Sequence, residues 1–110
     1  LSYLDWLRPA LTDASVEELL AELSSSRAQL WLGERSAVVT ELTGDREDRC
    51  LHIWLAGGDL KEILRLRPGV EAWARGQGCR SVTIDGRPGW SRVLRRFGYR
   101  MSGCELKRKL

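Results

Sequence analysis

The residues of this 110-residue chain whose types and spacing could do chemistry gather between Leu51 and Lys61. Leu51, Ile53 and Leu55 alternate with His52 and Trp54, the period of a strand, and Ala56-Gly57-Gly58-Asp59 follows where a helix should begin. A helix N-terminus leaves backbone N–H groups unpaired and carries partial positive charge, and glycines let a phosphate come close to them. One reading of Gly57 to Lys61 is therefore a cradle for an anion or a nucleotide tail. The other is a tight turn with a capped helix behind it, which glycine pairs form routinely.

Other chemistry is sparse. His52 is the only histidine, so a histidine-based metal cluster lacks partners and no metal is expected. Cys50, Cys79 and Cys104 are odd in number and widely spaced, which fits neither a disulfide framework nor a zinc site and predicts three buried thiols in a reducing compartment. The net charge of +3 permits a phosphate-bearing partner without requiring one. Arg92, Arg95, Arg96 and Arg100, with Lys107, Arg108 and Lys109, form basic clusters that could meet nucleic acid. Acidic residues are spread along the same chain and no nucleic-acid motif accompanies the arginines, so a solvated face is the preferred reading. No apolar run approaches the roughly 20 residues of a membrane span, and nothing has the build of a signal peptide. A soluble, intracellular single domain over residues 1–110 is the expectation. The chain starts at Leu1 rather than Met, and any strand further upstream lies outside it.

The elements that must position these residues follow from periodicity and caps. Leu4, Leu7 and Leu11 predict a short helix interrupted at Pro9. Ser15 and Glu18 form a capping box ahead of Val16, Leu19, Leu20 and Leu23, a helix ending in Ser24-Ser25-Ser26. Ala28 to Leu32, Ser36 to Thr43 and Arg49 to Leu55 are rich in strand formers and separated by polar turns, which predicts an antiparallel meander. Asp59 and Glu62 repeat the cap spacing before a long helix, where Pro68-Gly69 predicts a kink or two helices near Arg67. The helix ends at Gly76-Gln77-Gly78. Arg80 to Asp85 is the next strand, parallel to the one at Leu51 because a crossover helix joins them. Pro88 opens a short helix with Trp90, Val93, Leu94 and Phe97 inward, and Met101 to Leu110 returns as a last strand. The sum is an α/β chain, a mixed sheet with helices on its faces. Trp6, Trp31, Trp54, Trp73 and Trp90 are expected in the core; any left exposed would mark a protein interface or a stacking surface.

This order of elements, with Val70-Glu71-Ala72-Trp73-Ala74-Arg75-Gly76-Gln77-Gly78-Cys79 and Leu94-Arg95-Arg96-Phe97-Gly98-Tyr99, resembles the GNAT superfamily of acyl-CoA N-acyltransferases. The LHIWLAGGD and GRPGW stretches look like compact GNAT-like proteins encoded by tailed phages. The resemblance covers Leu51 to Tyr99 in sequence and Ser15 to Thr43 in topology. It implies a GNAT-like fold that uses acetyl-CoA as donor and an amine as acceptor. Backbone groups of Leu55 and Ala56 would bond the pantetheine arm, and Gly57, Gly58 and Lys61 would hold the pyrophosphate. An amine would attack the thioester directly, helped by a base and by an acid for the leaving thiolate.

The sequence also departs from the family pattern. The family's Gln/Arg-x-x-Gly-x-Gly/Ala loop falls on Gly58 to Ile63, and the tyrosine that often serves as acid falls on Leu94. His52 and Glu41 are the available bases. A second expectation is therefore a GNAT-shaped phage protein without catalysis, in the host cytoplasm or the virion, acting as an assembly or host-interaction module on a phage or host protein.

Overall fold

Ser15 Oγ accepts from the Glu18 amide at 3.1 Å, so the predicted cap starts the predicted helix. The computed structural model describes residues 2–110; Leu1, the first residue of the segment predicted as a short helix, lies outside the described residues. Helix α1 (Tyr3–Leu7) passes into a 3-10 turn at Arg8–Ala10, where Pro9 interrupts it. Helix α2 spans Val16–Ser24. Strands β1 (Ala28–Leu32) and β2 (Ser36–Thr43) match the predicted hairpin. They continue the meander into β3 (Cys50–Gly58). Helix α3 (Leu60–Gly76) crosses over to β4 (Ser81–Asp85), which lies parallel to β3. Helix α4 (Pro88–Leu94) and a 3-10 turn at Arg95–Phe97 lead to β5 (Arg100–Ser102) and β6 (Glu105–Lys109).

The result is a six-stranded mixed sheet in the order β1-β2-β3-β4-β6-β5. Helices α3 and α4 cover one face, burying Leu51, Val82 and Leu106 of the sheet against Val70, Ala74 and Leu94. Helices α1 and α2 cover the other face over β1 to β3, burying Leu7 and Leu19 against Ala37, Val39 and Leu55. Further along that second face, β4 and β6 present Ser81, Thr83, Asp85, Glu105 and Lys107, because residues paired across adjacent strands point the same way. All five tryptophans pack partly buried against the two cores, and Trp31 meets Trp73 edge to face at 5.7 Å.

Four expectations change. The extended run does not stop at Ala56: Gly57 and Gly58 are the last residues of β3, paired with Ala37 and Ser36. Gly57 is there because the Trp6 carbonyl of α1 packs against its backbone, where no Cβ fits. Gly58 takes a φ of 107°, a conformation open to glycine. Helix α3 continues through Pro68 as one element. Pro68 is exposed, so the carbonyl it leaves unpaired one turn earlier sits on the solvent side. The last strand is instead a hairpin, turned at Gly103 with φ 65°, whose second arm and not its first pairs with β4. Of the three thiols, Cys79 is buried, Cys50 is partly buried and Cys104 is exposed at that same hairpin.

Candidate functional site

A cleft opens where β3 leaves β4. The two strands pair from Cys50 opposite Ser81 to Ile53 opposite Ile84 and then part, although β3 runs on to Gly58. The cause is a β-bulge on the other edge of β3. Thr40 pairs with Ile53 and Val39 with Leu55, so Trp54 is an extra residue that bends the strand and increases its twist. Five residues of β3, Trp54 to Gly58, thus face no neighbour in β4. At about 3.3 Å per residue they expose about 17 Å of strand edge. The cleft holds about 290 Å³ and is lined by Ile53 to Ala56, by Asp85 at the end of β4 with Arg87 and Trp90 beyond it, and by the loop before α2. Behind it, between α3 and α4, an apolar gap of about 30 Å³ reaches Ile53, Ala56, Ile84 and Trp90 from the other face of the sheet.

Of the residues expected to hold a cofactor, Leu55 and Ala56 stand in the cleft wall. Gly57, Gly58 and Lys61 lie beyond it, and Lys61 is exposed. The α3 N-terminus between them is already engaged. Asp59 Oδ1 accepts from the Glu62 amide at 3.2 Å, which is half of the predicted capping box. The other half is diverted: Glu62 Oε1 accepts from the Arg35 amide at 2.9 Å and from the Ser36 hydroxyl, tying α3 to the β1–β2 turn. The Ser36 hydroxyl and then the Arg35 amide hold the Glu62 carboxyl below the usual range, so it is an anion at neutral pH. Two carboxylates therefore flank the helix start that was expected to hold a pyrophosphate. Leu94, where the resemblance would place an acid, is buried in the α3/α4 core.

His52 borders the same cleft on the α1/α2 face. Its Nδ1 lies 2.8 Å from the Thr83 hydroxyl and 3.4 Å from Glu105 Oε2. Glu41, the other base candidate, is directly opposite His52 on β2. Burial pushes the Cys79 thiol up, which makes it a packing residue rather than a nucleophile.

A second polar cluster had no sequence forecast. Glu71 is 2% exposed, and its Oε1 accepts from Arg67 at 2.7 Å and from Arg108 at 2.6 Å. Its Oε2 accepts from the Tyr99 hydroxyl at 2.7 Å. Arg67 also stacks over the Phe97 ring, 4.0 Å from its centre. The available signal was helical spacing: Glu71 follows Arg67 by four and precedes Ala74 by three, on the face that also carries Leu64 and Val70. This network ties α3 to β6 and to the residue before β5, and its Arg67 and Tyr99 line the apolar gap behind the cleft.

Compared with family models, with curated proteins and with solved structures, the chain finds no match.

Proposed function

We propose that this chain is a GNAT-like N-acyltransferase that takes acetyl-CoA along the free edge of β3 and passes its acyl group to an amine. The observation that carries the reading is the parting of β3 from β4 beyond Ile53 and Ile84. It leaves strand edge at Leu55 and Ala56 beside a cleft long enough for an extended amide arm. Backbone N–H and C=O groups there need partners. An amide-bearing chain supplies them as an added strand would. The amine enters from the side of Asp85 and Arg87 and attacks the thioester directly. The resemblance over Leu51 to Tyr99 supports the same assignment of cofactor and reaction.

The test is calorimetric titration of the purified protein with acetyl-CoA, beside Ala56→Leu, which adds bulk where β3 borders the cleft and the apolar gap behind it. Saturable heat in the wild type and its loss in A56L, with an unchanged circular dichroism spectrum, is the expected result. An absence of heat and of thermal shift at millimolar acetyl-CoA would sink the proposal.

One observation favours the second reading, a GNAT-shaped module of a phage particle or host-takeover complex without catalysis. Asp59 and the ionised Glu62 occupy the helix start that the family gives to the pyrophosphate. On this reading the exposed Leu32 and Met101, at the two outer strands of the sheet, meet a protein partner.

A further inference from the structure

His52, Asp85 and Glu105 come from three different strands and each brings one ligand atom to within 4.8 Å of the other two. Strand pairing explains why. Thr83 lies opposite His52, and Asp85, two residues on along β4, points to the same face and lies opposite Glu105 on β6. From these residues we infer that the face where β3, β4 and β6 meet is a site for a divalent first-row transition ion of the Zn²⁺ or Mn²⁺ kind.

Three features of the site point to a cation. Asp85 and Glu105 are carboxylates directly opposite on adjacent strands, an arrangement that repels unless a positive charge lies between them. Among the described residues no Lys or Arg comes within 4.0 Å of either, in a chain with 18 Lys and Arg against 15 Asp and Glu. Lys107 lines the same groove and forms no such pair. The nitrogen that does stand near them is His52 Nδ1, 3.4 Å from Glu105 Oε2. That spacing is the edge of a tetrahedron built on ligand bonds of about 2.1 Å.

The donor set selects the metal. One imidazole and two carboxylates suit Zn²⁺ or Mn²⁺, whereas Mg²⁺ and Ca²⁺ take oxygen ligands. The site opens both to the cleft, through His52 and Asp85, and to the polar groove, through His52 and Glu105, so the ion has an entry path and room for water ligands. A single histidine in the sequence hid the site, since its other ligands lie 33 and 53 residues further on.

The inference does not rest on acyl transfer, and its test reads binding alone. Protein stripped with a chelator is titrated calorimetrically with ZnCl₂, and separately with MnCl₂ while the free Mn²⁺ resonance signal is followed. One ion per chain is expected, weakened at least tenfold in Asp85→Asn and in Glu105→Gln, and unchanged in Cys50→Ser/Cys104→Ser. The Asn and Gln variants keep side-chain shape, and circular dichroism verifies their fold. No stoichiometric binding of either ion at millimolar concentration overturns the inference. Binding that survives both carboxylate variants, or that the cysteine variant abolishes, overturns it as well.

Discussion

Tyr99 donates its hydroxyl hydrogen to Glu71 Oε2 at 2.7 Å, joining the residue ahead of β5 to the middle of α3. The same carboxylate receives Arg67 and Arg108 on its other oxygen, so one buried anion holds three elements together. Removing one member of a buried charge cluster leaves the others desolvated and unpaired. Glu71→Ala should lower unfolding free energy by about 3–5 kcal/mol. Tyr99→Phe should lower it by about 1–3 kcal/mol. The two should not add: in the E71A background the tyrosine hydroxyl has already lost its acceptor, so Y99F costs little more. Urea denaturation of the four proteins measures the cycle, and additive losses would show that Tyr99 and Glu71 act independently.

The same bond makes stability fall in alkali. Burial, and then the hydrogen bond to Glu71, raise the Tyr99 phenol far above its ordinary value of 10.0. Above that value the unfolded chain releases the Tyr99 proton while the folded chain keeps it, so unfolding is increasingly favoured as pH rises. The stabilisation from this group is fully present below pH about 10 and drains at up to about 1.4 kcal/mol per pH unit above it. Since Y99F lacks the group, the gap between wild type and Y99F should narrow between pH about 9 and about 11. A gap that stays constant over that range contradicts the assignment.

Glycines that look alike in the sequence should differ sharply when replaced. At Gly57 a new Cβ would run into the backbone carbonyl of Trp6, which cannot swing aside as a side chain could. Gly57→Ala should cost about 1–3 kcal/mol and loosen α1 from the sheet. Gly69 lies within α3 with nothing within 4 Å of a new Cβ. Gly69→Ala should gain about 0.5–1 kcal/mol from helix propensity. Thermal unfolding of both proteins distinguishes them, and equal shifts would contradict the packing at Gly57.

The contrast between these glycines shows what could be read from the chain. Ser15 with Glu18, the hairpin around Gly33, and the alternation from Leu51 to Leu55 are local signals, and each produced its element. Gly57-Gly58 misled because a glycine needed for close approach in a strand has the same letter as a glycine needed for a turn. Pro68 overstated the break in α3, since its exposed position puts the lost hydrogen bond toward solvent. The cleft was half legible: Leu55 and Ala56 were marked, but the bulge at Trp54 that opens it depends on pairing with β2. Glu71 with Arg108, and Asp85 with Glu105, were not legible, because contacts between residues 20 or more apart leave no period in a sequence.

Asp59 is the residue on which the proposed cofactor site turns most directly. Its side chain caps α3 by accepting from the Glu62 amide at 3.2 Å, and its charge opposes a pyrophosphate at the same helix end. Asparagine caps helices as well as aspartate does, so Asp59→Asn separates the two effects. Stability should change little. A charge next to a helix terminus is worth about 0.3–1 kcal/mol, so acetyl-CoA should bind roughly twofold to fivefold more tightly to D59N than to wild type. Raising salt should shrink the difference, because screening weakens the repulsion being removed. Calorimetric titrations of both proteins at low and high salt measure it. Equal or weaker binding by D59N would mean that the phosphates do not approach α3, which leaves the strand edge at Leu55 and Ala56 as the sole anchor of the donor.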